Sequence, residues 1–330
     1  MKKFRDEKTA IRFLGLLGLI VTLILTVTIF SLKDLTQKKE IGYESKSRQS
    51  TIKGNKSSSE IVINNENVDS KSSEKSGAIF NEKLPWENDA EFLKVKEECN
   101  ANIRMGAFKT VLPDPLPGEE ENVIIAAAKI AGTIIKPGET FSQNAKAGPY
   151  TTSKGYQIGP TYSGSNLITT IGGGVCKIAS TLYNVAILSN MGIVERHNHS
   201  MIVPYVPLGQ DATVYYGSKD IKIKNNYDWP VLLWAKGVGN VLYMAIYGRE
   251  NPPQITWYHQ IIDEQDTYNI VKHNSSLPRG NRKVIYEGYK GYTVKSWIKI
   301  QMGDGTEKIK HFGTDYYTPM PGLIEKGTKE

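Results

Sequence analysis

Cysteine is scarce in this chain, whose 330 residues include only Cys99 and Cys176. Two cysteines are too few for a framework of several disulfides, and they exclude a zinc site built from four thiolates. Two alternatives stay open at this point: a single disulfide between Cys99 and Cys176, or two free thiols.

Motifs for nucleic acids, nucleotides and haem are also absent. The net charge is +7 and the pI is about 9.0, yet no helix-turn-helix, zinc-finger or aromatic nucleic-acid motif accompanies the positive charge. The charge therefore fits an anionic polymer or a membrane surface, and we expect no nucleic-acid partner. No phosphate-binding loop or metal-ligand spacing is visible, so we expect no cofactor and no metal site.

One long apolar run is present, FLGLLGLIVTLILTVTIFSL at residues 13–32. As a helix it would cover ~30 Å, the thickness of the hydrocarbon core of a bilayer. Basic residues dominate the segment before it, which predicts a single-pass signal-anchor with residues 1–12 in the cytoplasm and the rest outside. A cleavable signal peptide is the alternative, but its apolar region is usually ~7–15 residues long and ends at a small-x-small site.

Hydrophobic residues make up only 39% of the chain. A polar segment accounts for the low value, because residues 33–80 are rich in Lys, Ser, Asn and Glu. Such a segment buries too little apolar surface to offset the entropy lost on ordering. We expect a disordered tether that separates the folded part from the membrane.

Periodicity after the tether predicts an α+β fold, with helices first and an antiparallel sheet after them. Helices are predicted at 90–103, 119–135 and 176–191. Short alternating strands are predicted at 199–206, 211–217, 220–226, 230–237 and 241–248. Residues 81–250 are assigned to one domain, and residues 264–330 to a small C-terminal β module with a hairpin turn at 303–305.

The sharpest local motif is IGGGVCKIASTLYN, in which Gly172, Gly173 and Gly174 precede Cys176. Glycines permit positive φ and the close approach of a substrate. The free N–H groups and the dipole of a helix start favour a thiolate and can stabilise an oxyanion. The competing interpretation is that Cys176 is a small buried hydrophobic residue.

Candidate bases follow in ERHNHS, where His197 and His199 have the same alternation and periodicity cannot separate them. Asp211 and Asp220 lie on the next predicted strands, and either can orient an imidazole. The order Cys, His, Asp resembles the layout of transglutaminase-like and papain-like thiol enzymes. A metal site built from these residue types is the alternative, although their spacing fits no zinc motif.

The block from about 122 to 248 resembles the VanW family. The matching text is NVIIAAAKIAGTIIKPGETFSQN, AGPYTTSKGY, GGGVCKIASTLYNVAILSNMGIVERHNHS and VPYVPLGQDATVYYGSKDIKIKNN. The family usually has Gln after the cysteine, whereas this chain has Lys177. Some members are linked to L,D-transpeptidation of peptidoglycan, in which a cysteine forms an acyl-enzyme with a donor stem peptide and an amine of a second stem resolves it.

The resemblance implies Cys176 as the nucleophile, His199 as the base, and Asp211, with Asp220 as second choice, as the orienting group. The N–H groups of Gly174 to Lys177 are the expected oxyanion hole. The expected partners are peptidoglycan stem peptides, and the candidates for substrate contact are Ser180, Thr181, Tyr183, Arg196 and His197.

The C-terminal tail, from LPRGNRKVIYEGYKGYTVKSW onward, is similar to part of the five-glycine wall-associated domain, which implies contact with peptidoglycan; extra strands of the main sheet are the alternative. Two other functions stay open for the whole chain. One is a thiol hydrolase that uses the same residues, and the other is a non-catalytic wall-binding or scaffolding protein.

Overall fold

The computed structural model describes residues 60–61, 76–112, 115–163 and 166–330. The α-helices in this part of the chain are α1 Ala90–Glu98, α2 Glu119–Ile130, α3 Gln143–Ala147 and α4 Cys176–Leu188. The strands are β1 Glu60–Ile61, β2 Gly77–Ala78, β3 Ile103–Val111, β4 Thr133–Ile135, β5 Thr140–Ser142, β6 Ile158–Ser163, β7 Asn166–Ile171, β8 Gly192–Glu195, β9 Lys222–Lys224, β10 Val231–Val238, β11 Val241–Gly248, β12 Gln254–Gln265, β13 Asn269–Pro278, β14 Arg282–Tyr286, β15 Gly291–Gln301, β16 Glu307–Tyr317 and β17 Gly322–Lys329. The fold is α+β with strands in the majority.

A five-stranded antiparallel sheet, in the order β2-β3-β11-β10-β4, lies at the centre of the first domain. Both of its faces are covered. Alternate side chains of β10 point to opposite faces, so Leu233 joins the core cluster that contains α2 and α4, whereas Leu232 and Trp234 join the cluster that contains α1. The continuous apolar run of β10 follows from burial on both sides.

Helix α4 is buried along almost its whole length. Its apolar side chains, such as Ile178, Leu182 and Val185, have no exposed surface, and the helix packs on β3 and β11. Its buried polar side chains form hydrogen bonds, as Ser180 and Asn184 do by donating to backbone carbonyl groups. The burial of α4 fixes Cys176, its first residue, at the point where the core meets the surface.

The second predicted helix, 119–135, is shorter than expected. It ends at Ile130, and Gly132 takes a left-handed φ of +73°. The residues after it form β4, in which Ile135 pairs with Val231 of β10. A left-handed glycine ends a helix, and the β-branched sequence TII fits a strand. Since β3 also precedes α2, helices and strands alternate instead of forming two successive blocks.

Two predicted strands, 199–206 and 211–217, are wrong. These segments are irregular, apart from an isolated bridge between Tyr215 and Lys219. Side chains occupy backbone groups that a strand ladder would use: Asp211 accepts from the N–H of His199, and Ser180 accepts from the N–H of Ala212. Most apolar residues of these segments are buried, whereas Tyr215 and Tyr216 are exposed. Burial against the core accounts for the hydrophobic pattern without a sheet.

The C-terminal module is defined here as residues 254–330 and begins earlier than the predicted residue 264. Its strands β12, β15 and β16 form one sheet, which β1 extends by pairing with β12, and its other strands form a second sheet in the order β13-β17-β14. Strands β15 and β16 form the predicted hairpin, and Gly305 takes a φ of +83° in its turn. The module therefore has sheets of its own and is not an extension of the central sheet.

The predicted membrane segment, 13–32, and the predicted cytoplasmic tail, 1–12, lie outside the described residues. Within the described ranges, none of the helices has the length and apolar character needed to cross a membrane. Two short parts of the predicted tether, 33–80, are described, and both contain strands: β1 pairs with β12 and β2 pairs with β3.

Candidate functional site

The glycine loop before α4 packs against the protein itself. A Cβ atom on Gly173 would overlap the carbonyl oxygen of Gly159. The Asn122 amide donates to the carbonyl of Gly173 at 2.8 Å and to that of Gln157 at 2.9 Å. The sequence suggested that these glycines admit a substrate, but at Gly173 the backbone that approaches closely is that of β6.

Cys176 is half-buried at the N-terminus of α4. Its Sγ atom lies 3.2 Å from Thr213 Oγ1 and 3.6 Å from the carbonyl oxygen of Val214. The helix dipole favours negative charge at this position. The thiol is thus held by the irregular segment that follows Asp211.

The two histidines have different surroundings in the folded protein. His199 is buried, and its Nδ1 lies 2.7 Å from Asp211 Oδ2. The imidazole edge with Nε2 is then left for the thiol of Cys176, with which His199 interacts. The side chain of His197 is 40% exposed and pairs with Glu195 at 3.1 Å. His199, and not His197, belongs to the Cys176 site.

The pKa values of Cys176 and His199 move in opposite directions. Burial raises the pKa of Cys176, but the hydrogen bond with His199 and the charge of His199 have the larger, opposite effect. The net result is a pKa lowered from 9.0 to about 7. Burial lowers the pKa of His199, while its hydrogen bonds with Asp211 and Cys176 raise it to about 9. Between these values the two side chains form a thiolate–imidazolium pair, the reactive state of a cysteine nucleophile.

Asp211 is the orienting carboxylate, and Asp220 is not. Asp220 accepts hydrogen bonds from the Ser142 hydroxyl and from the N–H groups of Asn144 and Ile221, so it caps the short helix α3. Burial raises the pKa of Asp211, yet the bonds with His199 hold it below its usual range. An ionised Asp211 stabilises the imidazolium form of His199.

The oxyanion donors are fewer than the sequence suggested. The N–H groups of Gly172, Gly173, Val175 and Lys177 all donate to backbone carbonyl groups. In the described part of this loop, the N–H groups of Gly174 and Cys176 are the remaining candidates. Gly174 is partly exposed beside Cys176, as an oxyanion donor must be.

Lys177 follows Cys176 in α4 and is buried. Its Nζ forms an ion pair with Glu119 and lies 5.0 Å from the ring centre of Tyr205. The ion pair with Glu119 therefore gives Lys177 a structural role, and this explains why a lysine can occupy a buried position.

Replacing Lys177 with Met is expected to lower the free energy of unfolding by about 3–5 kcal/mol, because it leaves the buried Glu119 carboxylate unpaired. Urea denaturation measures the loss. The double variant Glu119→Gln, Lys177→Met removes both charges and should recover much of the stability. Equal losses in the single and double variants would contradict the ion-pair assignment.

Three candidates for substrate contact are buried. Ser180 donates to the carbonyl of Ala212, Thr181 bonds to Thr110, and Tyr183 packs against Trp257. All three are at most 1% exposed, which places them out of reach of a substrate. They support the site from inside the core.

Arg196 also supports the site, because its guanidinium binds two carboxylate side chains inside the protein. Its Nε donates to the Asp211 carbonyl at 2.8 Å, its Nη2 to Asp211 Oδ1 at 3.1 Å, and its Nη1 to Asp315. Of the five contact candidates, His197 is the one with substantial exposure.

The two cysteines are free, and no disulfide joins them. Cys99 lies in the core cluster beside α1, where burial raises its pKa. Among the described residues, no three His, Cys, Asp or Glu side chains are grouped to hold a metal ion.

Three residues of the site were missed by sequence reasoning: Thr213, Asp315 and Tyr317. The last two come from β16, and the Tyr317 hydroxyl donates to Asp211 Oδ1 at 2.6 Å. Their separation from Asp211 exceeds one hundred residues, and no local pattern marks a contact of that range.

Comparison with known proteins finds a family model that matches the part of the chain containing the site. The family model for VanW like protein matches residues 118–247, which include Cys176, His199 and Asp211. The chain is 34% identical over 160 residues to the "Uncharacterized protein YoaR" of Bacillus subtilis (strain 168), a match that covers 48% of this chain and 53% of that protein.

A second relative is the "Vancomycin B-type resistance protein VanW" of Enterococcus faecalis (strain ATCC 700802 / V583). It is 32% identical over 121 residues, which cover 34% of this chain and 43% of that protein. The chain thus spans about half the length of the curated relatives that it matches.

Two solved structures of G5 domains also align with part of the chain. One is described as "IgA1 Protease G5 domain structure", with 25% identity and a TM-score of 0.16, over 25% of this chain and all of that one. The other is "Crystal structure of HP0197-G5", with 17% identity and a TM-score of 0.14, over 22% of this chain and 97% of that one.

Proposed function

We propose that this chain, whose residues 118–247 match the family model for VanW like protein, is a VanW-family, cysteine-dependent L,D-transpeptidase that acts on the stem peptides of peptidoglycan. The observation that carries the proposal is the Cys176–His199–Asp211 arrangement. It combines a thiol whose pKa is lowered to about 7 with an imidazole that a buried carboxylate orients. A nucleophilic thiol and an oriented imidazole base are the groups that acyl transfer through a covalent intermediate requires.

The first half of the reaction forms an acyl-enzyme. The Cys176 thiolate attacks the carbonyl carbon that follows an L-centre in the donor stem, and the N–H groups of Gly174 and Cys176 stabilise the oxyanion. The C–N bond then breaks, and the His199 imidazolium gives its proton to the leaving amine. The products are a thioester on Cys176 and a neutral His199.

The second half transfers the acyl group. An amine of a neighbouring stem attacks the thioester and loses its proton to His199. The C–S bond breaks, which restores the thiolate–imidazolium pair and leaves a new peptide cross-link. If water attacks instead, the same residues perform hydrolysis.

The proposed location is the outer side of the cell membrane. The apolar run 13–32 would anchor the chain with its N-terminus in the cytoplasm. The positive net charge suits the anionic polymers of a cell wall.

The test is an analysis of muropeptides after incubation of the chain with peptidoglycan fragments of several stem types. Cross-linked dimers are expected with the unchanged protein and not with Cys176→Ala. Shortened stems without dimers would replace the proposal with a hydrolase. No change in either sample would replace it with a wall-binding or scaffolding protein.

A further inference from the structure

The loop that joins His199 to Asp211 is held by the C-terminal module at three points. The N–H of Thr318 donates to the carbonyl of Ser200 at 2.7 Å. The N–H of Gly209 donates to the hydroxyl of Tyr317 at 3.0 Å. Because the loop carries a member of the site at each end, its anchoring on the module bears directly on the geometry of the site.

The third point is a buried polar chain. The Gln210 amide lies 2.9 Å from His259 Nε2, and His259 Nδ1 lies 3.0 Å from the hydroxyl of Ser296. A Cβ atom on Gly209 would overlap the Ser296 hydroxyl. This close fit leaves little room for the loop to move against β12 and β15.

The two oxygens of Asp211 have separate tasks. Oδ2 accepts from the backbone N–H and from Nδ1 of His199, both at 2.7 Å. Oδ1 accepts from Arg196 at 3.1 Å and from Tyr317 at 2.6 Å. A carboxylate offers about four acceptor positions, and four donors occupy them here. Because His199 donates to one oxygen while Arg196 and Tyr317 donate to the other, these hydrogen bonds oppose rotation of the carboxylate away from His199.

The module also fixes the second donor on Oδ1. Arg196 pairs with Asp315 of β16 through Nη1, and its guanidinium lies 5.0 Å from the ring centre of Tyr183. Both donors to Oδ1 therefore depend on β16, Tyr317 directly and Arg196 through Asp315. Tyr317 is 3% exposed, so water cannot easily replace its hydroxyl.

We propose that Tyr317 is a positioning residue of the Cys176 site, and that the C-terminal module completes this site by holding Asp211 in register with His199. The inference rests on the proposed function, because it takes Cys176 as the nucleophile. The module has a second task beyond any contact with the cell wall. Its docking determines whether the thiolate–imidazolium pair forms.

The test is the pH profile of Cys176 alkylation by iodoacetamide in the full 330-residue chain, with Cys176 and Cys99 distinguished by peptide mass spectrometry. In Tyr317→Phe, Asp211 loses one of its two Oδ1 donors. The carboxylate is then free to rotate, which weakens its hydrogen bond with Nδ1 of His199. The midpoint for Cys176, expected near 7 in the unchanged protein, should rise by about one pH unit, and cross-linking activity should fall several-fold at unchanged KM. Tyr316→Phe, a neighbour that is 66% exposed, is the matched control and should change neither value.

An unshifted or lowered midpoint in a folded Tyr317→Phe variant would overturn the inference. If Tyr317→Phe does not fold, Asp315→Asn tests the same contact through Arg196 and should raise the midpoint in the same direction. A midpoint near 9 in the unchanged protein would count against the proposed function itself. A midpoint near 7 that Tyr317→Phe leaves in place would remove the inference alone.

Discussion

Replacing His199 with Ala is expected to abolish the lowered pKa of Cys176 and nearly all activity. Without the imidazolium, burial is the main remaining influence on the thiol, so its pKa should rise from about 7 to 9 or above. At pH 7 the thiolate fraction would fall from about one half to about 1%. Loss of the general acid and base adds a reduction of about 10²- to 10⁴-fold in the rate.

Alkylation of Cys176 as a function of pH measures the first effect, and the rate of muropeptide cross-linking measures the second. His197→Ala is the matched control, since it removes a half-exposed imidazole two residues away and leaves the site intact. Cys99, with its raised pKa, serves as the internal standard in every sample. An alkylation midpoint that stays near 7 in His199→Ala would show that the helix terminus alone activates the thiol.

Replacing Asp211 with Asn is expected to damage both stability and catalysis. The carboxylate lies in a buried cluster with Arg196 and His199, and removal of one partner from a buried ion pair costs about 3–5 kcal/mol. Four donors lose a charged acceptor, and an amide nitrogen cannot accept from His199 Nδ1. In a comparable triad the same change lowers kcat by about 10⁴-fold, because the imidazole takes the wrong tautomer.

Thermal and urea unfolding at several pH values measure the stability loss of Asp211→Asn. The pKa of Asp211 is below its usual 3.8 when the protein is folded. Its contribution is therefore fully present above pH 4 and declines as the pH falls through the folded pKa, so the difference between the two proteins should shrink in acid. Asp220→Asn is the control: it weakens a helix cap, by about 1 kcal/mol, and should leave the Cys176 alkylation midpoint unchanged. A shift with Asp220→Asn and none with Asp211→Asn would reverse the assignment of the orienting group.

Local patterns predicted those elements of the fold whose residues are apolar in a regular period. Helix α4 and strands β10 and β11 follow from their own sequences, because each is apolar where the fold buries it. The segments 199–206 and 211–217 have a similar pattern but form no strands. Their backbone groups bond to Ser180 and Asp211 instead, and a partner that lies far along the chain leaves no periodic trace.

By itself, the sequence determined the residue types of the site and one of its positions. Three glycines and a helix start marked Cys176, and the order of residue types supplied two histidines and two aspartates as candidates. Family resemblance favoured His199 and Asp211. Alternation could not separate His197 from His199, and the predicted strands offered Asp220 as well as Asp211. Local chemistry thus named the candidates without selecting among them.

Only the tertiary structure decided which candidates meet and what holds them. It buried His199 against Asp211, left His197 half-exposed and assigned Asp220 to a helix cap. It also brought Tyr317 to Asp211 from a separate sheet. The reason is physical: the environment of a carboxylate or an imidazole depends on the groups within a few ångströms of it, and in this protein those groups come from segments that are far apart along the chain.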